Sequence, residues 1–399
     1  MDGPAEQGKL RTALNSYCVN VLGNWGACGS CHVGLGATPT REVSLAQLQN
    51  IDCLICHQDK YRRKRDASGR FVPDTANMTI TLDQAVQTVH KPTRAACLQC
   101  HGRGGGGDNY KRGDLAVAHG TTGDRAFDVH MATRGANLTC QRCHRVSAHR
   151  IAGRGSDLRQ TDLDVTLSCA NGSCHRDKAS GGGHDTRAID RHTARVACQT
   201  CHITTFARNA ADTPASEATE MHRDRATPHL TASGAIHPTP TLLNDVRPVY
   251  RFWNRFSDNY SLGEIAVIDA ATGFYPTSRP VGDIADTSPA NKLYPFKYKT
   301  ASQPVATGRG VLIPVDTRVY FASGDLAAAT RAGLSNFGLS PDEPWEMATT
   351  DTFQLITHEV QPAGQALTCT KCHGRTATQM NLRALGYTLK ASPTTLCTT

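Results

Sequence analysis

The pentapeptide CGSCH at residues 28–32 recurs as CLICH (53–57), CLQCH (97–101), CQRCH (140–144), CQTCH (198–202) and CTKCH (369–373), and a stretched form, CANGSCH, lies at 169–175. Fourteen of the sixteen cysteines belong to this pattern, so it restricts the fold more than any other feature. Paired cysteines form disulfides, close zinc sites or carry covalent haem c. Two Cys-x-x-Cys pairs suffice for zinc, but zinc does not require a histidine directly after each second cysteine. All seven pairs have one. Histidine is 17 of 399 residues, and seven such neighbours arising by chance have a probability of roughly 10⁻¹⁰.

Haem c explains the histidine. Two thiols add to the porphyrin vinyl groups, and the adjacent imidazole becomes the proximal iron ligand. The expected attachment residues are Cys28 and Cys31, Cys53 and Cys56, Cys97 and Cys100, Cys140 and Cys143, Cys169 and Cys174, Cys198 and Cys201, and Cys372 with Cys369. The expected proximal ligands are His32, His57, His101, His144, His175, His202 and His373. The sequence therefore reads as a chain carrying seven covalent haems c. Its least regular member is 169–175, which must loop two extra residues between its thioethers.

Composition supports a haem core. Only 39% of the residues are apolar and 6% aromatic, with 35 glycines and 19 prolines, which is thin for a 399-residue interior. Porphyrin plates would supply the missing apolar surface, with the polypeptide wrapped around them. The expected class is mainly α with extensive loops, a multihaem cytochrome c of low regular secondary structure, with few short strands in its C-terminal half. The formal charge of +8 carries no nucleic-acid inference. Each ferric haem with two propionates adds about −1, bringing the oxidised protein to roughly +1. The basic run KYRRKR, Lys60 to Arg65, reads as a solvated loop or propionate partner, or else as a steering patch for an anion.

Two regions follow from the motif density. Residues 1–202 hold six motifs, and residues 203–399 wrap back and carry the last. In the first region TLDQAVQTVH predicts a helix, with Thr81 and Gln84 as a capping box and Pro92 soon after. SLAQLQN (44–50) predicts a shorter one from a serine cap. GRGGGGDNYKRGD (102–114) and GGGHD (181–185) read as loops with backbone freedom to approach a porphyrin. In the second region RPVYRFWNRF (247–256), KLYPFKYK (292–299) and GVLIPVDTRVYF (310–321) predict extended segments. DLAAATRAG (325–333) predicts a helix stopped by its glycine. No dinucleotide fingerprint, phosphate loop or nucleophile elbow is present.

Ten histidines remain for sixth ligands. His130, His149, His192 and His358 lead, three of them because they shortly precede a motif, and His119 and His184 follow. At least three of the ten must serve otherwise. Haem c is attached outside the cytoplasm, so a periplasmic, exported protein is expected. MDGPAEQGKLRTALNSYC lacks a signal peptide's apolar region, and the N-terminus is expected to be incomplete. No run approaches the ~18 apolar residues of a membrane span.

The ordered series NWGACGSCH, CLICH, KPTRAACLQCHGRGGGGDNYKRGDL, DVHM, HRIAG, RHTARVACQTCH, RPVYRFWN, NKLYPFK and HEVQPAGQALTCTKCHG resembles the octahaem tetrathionate reductase family of multihaem cytochromes c. The resemblance implies a periplasmic enzyme that reduces tetrathionate, and also nitrite and hydroxylamine, at a haem with a lysine ligand and a cysteine in its pocket. Matched by motif, the cysteine is Cys18 and the catalytic haem is that on Cys28 and Cys31. The lysine is Lys111, carried by a flexible loop, with Lys91 as the other match. On residue type alone Cys18 is equally a small buried hydrophobe, and either lysine a surface charge. This chain departs from the family in having seven motifs rather than eight, the absent one being N-terminal. Expected partners are a sulfur or nitrogen oxyanion and a quinol-linked or small cytochrome c donor, with a homo-oligomer possible and no nucleic acid. The rival function is a conduit in which every iron is six-coordinate.

Overall fold

The computed structural model describes residues 29–32, 34–38, 44–153, 167–170, 174–175, 184, 187–213, 218–231, 234–373 and 377–388. The motif region is built from short helices and turns. Five motifs lie on helical turns: Leu54–His57, Arg94–His101, Cys140–Cys143, Cys198–His202 and Cys369–His373. A helical turn suits the motif, because residues three apart share a face and both thiols can reach one porphyrin edge. The helix Leu82–Gln87 has the capping box of Thr81 and Gln84, and Ser44 caps Leu45–Gln49. Two small hairpins complete this half. One pairs β1 (Arg63–Arg65) with β2 (Phe71–Pro73), and the other pairs β3 (Val146–Ser147) with β4 (Arg150–Ile151).

The C-terminal half departs from the expected few short strands. Its centre is an eight-stranded mixed sheet formed by β5 (Thr219–Leu230), β6 (Ile236–Leu243), β7 (Val249–Trp253), β8 (Ser257–Asn259), β9 (Tyr275–Pro280), β10 (Lys292–Ala306), β11 (Val311–Leu312) and β12 (Trp345–Leu355). The order is β6-β5-β10-β12-β9-β8, with β7 and β11 also on β10. β10 is the spine: it runs antiparallel to β12 over eleven residue pairs and parallel to β5 at Thr300↔His222 and Ala301↔Arg223.

Alternation along β10 sends its side chains to two buried faces. Phe296 packs with Trp253, Tyr294 and Phe353 in an aromatic cluster. Lys297 and Lys299 point the other way and are also fully buried. Lys299 Nζ lies 2.5 Å from Glu220 on β5, whose other oxygen takes Arg223 Nε at 2.7 Å. Burial opposes ionisation of Glu220, but the two cations hold its carboxyl below the ordinary range. Removing one partner of such a buried pair costs about 3–5 kcal/mol.

Two expected elements change. In GVLIPVDTRVYF only Val311–Leu312 is strand, because Asp316 accepts from the amides of Arg318 and Val319 and starts a helix over Thr317–Ser323. The helix after Asp325 spans Leu326–Asn336 and runs through Gly333 rather than stopping there. Gly333 is a contact residue: a β-carbon would lie 2.1 Å from the Pro314 carbonyl oxygen. Helix propensity favours alanine by ~1 kcal/mol, but overpacking typically costs about 1–3 kcal/mol. Gly333→Ala is therefore expected to lower the urea midpoint, and an unchanged or raised midpoint would contradict the close packing.

Candidate functional site

Five of the motif histidines each face one further imidazole. The ring centroids are 6.1 Å apart for His57 and His149, 5.9 Å for His175 and His130, 6.3 Å for His144 and His358, 6.3 Å for His202 and His184, and 6.0 Å for His373 and His192. An iron bound by two imidazole nitrogens at about 2.0–2.1 Å holds the ring centroids roughly 6 Å apart. The separations fit. The other ring nitrogen is anchored as well. Nδ1 of His57 meets the His90 carbonyl at 2.8 Å, that of His144 the Ala152 carbonyl at 2.9 Å, and that of His192 the Ala188 carbonyl at 2.9 Å. For His184 the acceptor is Asp190 Oδ1 at 3.0 Å, and for His358 it is Asp114 Oδ2 at 3.3 Å. An Nδ1–H so held directs Nε2 to a metal.

His149 reaches its partner from an unusual turn. It and Ala148 are the central residues of the β3–β4 hairpin, with φ of 63° and 47°. Such turns prefer Asn-Gly, and a β-carbon in the left-handed region costs roughly 1–2 kcal/mol. A histidine retained there, aimed at the His57 ring, fits an iron ligand better than a turn residue.

The motifs also touch one another. Cys100 Sγ lies 3.7 Å from the Cys31 carbonyl oxygen. The thiols of Cys97 and Cys140 are close enough to shift one another's ionisation, as are those of Cys169 and Cys198. Cys143 neighbours Cys174, and Cys201 neighbours Cys369 and Cys372. The resulting spatial series runs from 28–32 through 97–101, 140–144, 169–175 and 198–202 to 369–373, with Cys56 of 53–57 beside Cys97 and Cys100. Among the described residues no three His, Cys, Asp or Glu side chains converge on a metal cage. The thirteen described motif cysteines are free of disulfides.

Other predicted positions come out differently. His119 faces no motif histidine: its buried ring packs on Phe127, and Nε2 lies 3.6 Å from Asp128. That carboxylate also accepts the amides of His130 and Glu359. His222 bonds Thr300 and His237 stacks on Phe321, both within the sheet half. Lys91 is exposed on the surface. Lys111 is half-buried, its Cδ 3.4 Å from where a β-carbon on Gly104 would stand, with the Cys100 carbonyl beside that position at 3.6 Å. It leads the cations that, after burial, hold the His101 imidazole below its ordinary pKa. Among the described residues His101 has no second imidazole at the separation of the five pairs. Cys18, Cys28 and Cys397 lie outside the described residues, as does most of 181–185.

The loop carrying Lys111 is not the flexible one expected. Buried Lys297 donates to the carbonyls of Tyr110 (2.8 Å) and Lys111 (3.1 Å) and to Thr219 Oγ1 (2.6 Å). Thr219 Oγ1 in turn donates to the Asn109 carbonyl, and Arg223 to that of Gly105. Arg112 is committed to Asp114, Leu355 and Thr357 rather than to a substrate. The basic run also has a structural member: Arg63 donates to the carbonyls of Gly29, Ser30, His32 and Gly34, clamping the first motif. The roles of Arg63, Lys297 and Asp114 are hidden in the sequence because they reach partners 29, 78 and 244 residues away, whereas Asp190 is only six residues from His184.

Attachment motifs on helical turns, imidazole pairs spaced for iron and sulfur contacts from motif to motif define a multihaem c-type cytochrome. A family model described as "Cytochrome c bacterial" matches residues 239–376. Along nearly its whole length the chain is similar to the octaheme cytochrome c from Shewanella oneidensis, with a TM-score of 0.76 and 28% identity over 97% of this chain and 86% of that one. It is also 32% identical over 151 residues to an uncharacterized protein of Archaeoglobus fulgidus, covering 33% of this chain and 48% of the relative. The match thus spans about half of that relative's length. Among the described residues no helix is long and apolar enough to cross a membrane.

Proposed function

We propose that the chain is a periplasmic seven-haem reductase that takes electrons from a quinol-linked or small cytochrome donor and delivers them to tetrathionate, with nitrite and hydroxylamine as further substrates. Bound haem supplies a one-electron iron couple at each motif and, at one of them, a position for the oxidant. The five imidazole pairs would hold their irons and close them to substrate. Lys111 is the exception, and its setting supports the reading: a lysine on a loop held by Lys297, Thr219 and Arg223 beside the motif at 97–101, whose Cys100 in turn touches Cys31. On the family resemblance it would ligate the iron on Cys28 and Cys31, with Cys18 as the pocket cysteine. Two electrons cleave the central S–S bond of tetrathionate to give two thiosulfates. With the Lys111 amine on the iron, the positive charge offered to an anionic substrate there is that of the exposed Arg103.

A second arrangement is favoured by one observation. His101 lacks an imidazole opposite it among the described residues, and Lys111 is its leading cationic neighbour, so Lys111 could complete the iron on Cys97 and Cys100. Electron paramagnetic resonance of the oxidised, haem-loaded protein separates the possibilities. The proposal requires a high-spin ferric signal that shifts with nitrite and disappears in a Cys28→Ser/Cys31→Ser variant, together with tetrathionate-dependent oxidation of a reduced dye. A responsive signal that survives that variant assigns the open iron to another motif. Low-spin signals alone, silent to every small ligand, would leave a conduit.

A further inference from the structure

Three of the anchored imidazoles named above give their Nδ1–H to a backbone carbonyl, and two give it to a carboxylate. Both carboxylate-backed histidines are non-motif ligands: His358 opposite His144, and His184 opposite His202. The difference is chemical. A carbonyl is a neutral acceptor. A carboxylate draws the Nδ1 proton towards itself, makes Nε2 a stronger electron donor, and adds a negative charge close to the iron. Each effect favours ferric over ferrous iron.

Resting on the axial-ligand reading above, we infer that Asp190 and Asp114 set the irons on Cys198/Cys201 and Cys140/Cys143 at lower potential than their carbonyl-backed counterparts. Asp190 has the stronger effect. Its Oδ1 is 3.0 Å from His184 Nδ1 and its side chain is 15% exposed. Asp114 is fully buried, but His358 Nδ1 lies as close to Thr357 Oγ1 (3.3 Å) as to its carboxylate (3.3 Å), and its oxygens are shared with Arg112 at 2.9 Å and with the amides of Thr357 and His358. The guanidinium offsets part of its charge before the iron feels it.

The arrangement in space gives this a use. The two low-potential sites are separated by the motif at 169–175, so an electron crossing between the 369–373 and 97–101 ends meets two uphill steps. Stored electrons settle on the sites around those steps rather than on adjacent irons. One element also serves two neighbours: the helix Arg187–His192 supplies Asp190 to the 198–202 site and His192 to the 369–373 site.

The test is a spectroelectrochemical titration of the haem-loaded Asp190→Asn variant. One one-electron component should rise by at least tenfold in its equilibrium constant, about 59 mV, while the number of low-spin signals stays constant. Asp190→Glu should restore the lower value, and Asp114→Asn should raise a different component by less. Unchanged potentials with intact low-spin signals would overturn the inference. Loss of a low-spin signal in Asp190→Asn would also overturn it, since Asp190 would then only hold His184 in place. The ligand assignment is tested separately by His184→Ala: if no high-spin iron appears there, the axial reading fails instead.

Discussion

Replacing Lys111 with methionine in the haem-loaded protein is expected to lower tetrathionate-dependent turnover by about 10²-fold or more, while the signals of the five imidazole pairs stay in place. The reason is local. Methionine keeps most of the aliphatic contact along Gly104 but removes the amine, and the loop itself is held by Lys297, Thr219 and Arg223. The substitution therefore changes the group offered to iron and substrate without releasing the backbone that carries it. Lys91→Met is the matching control, because that side chain is exposed, and its turnover should be unaltered. Full activity in Lys111→Met would remove the lysine from the mechanism. Equal losses in both variants would point to a general effect of surface charge.

His149→Ala is expected to convert one low-spin iron to high spin. This second large effect comes from an exposed hairpin rather than a core. With the ring gone, nothing opposes the cost of the left-handed backbone at residues 148 and 149, and the β3–β4 turn should become readily cleaved by protease. His119→Ala provides the contrast: it should leave the spin states unchanged and reduce stability, because it strips Asp128 of its 3.6 Å partner. If His149→Ala leaves every iron low-spin, the 6.1 Å pairing with His57 is not a ligand pair.

The attachment motifs were legible because covalent attachment imposes local spacing, but that spacing did not place the partner histidines: His130, His192 and His358 face His175, His373 and His144, not the motifs they shortly precede. His130, His149, His184, His192 and His358 could be picked from the chain, whereas His119 could not be told from them, since only the fold reveals Asp128 beside it. The sheet was harder to read. KLYPFKYK alternates as a strand should, but its lysines suggest a solvent-facing side. In the structure that face is covered, and the ammonium groups of Lys297 and Lys299 are satisfied by loop oxygens and Glu220. β5 was missed for the same reason. TEMHRDRATPHL looks like a polar loop until Glu220, Arg223 and Arg225 are seen to be buried. Buried charge reads as surface when part of its pairing lies far away in sequence: Glu220 meets Arg223 three residues on, but its Lys299 partner is 79 residues away and Lys297 reaches Tyr110 across 187.

The eleven-pair register of β12 on β10 has a consequence for assembly. Ile356 bonds the Pro295 carbonyl directly after the last strand pair, and His358 follows two residues later, opposite His144. Eleven residues beyond His358 begins the motif whose His373 meets His192. A one-residue slip would displace His358 by about 3.3–3.4 Å and turn its side chain to the other face, farther than a metal–nitrogen bond of about 2.0–2.1 Å can follow. Strand registration and coordination at these two irons are therefore a single folding event. A chain with its haems already attached would keep both irons one ligand short until β12 had zipped onto β10, so the register of one strand checks the metal sites of two motifs far apart in sequence.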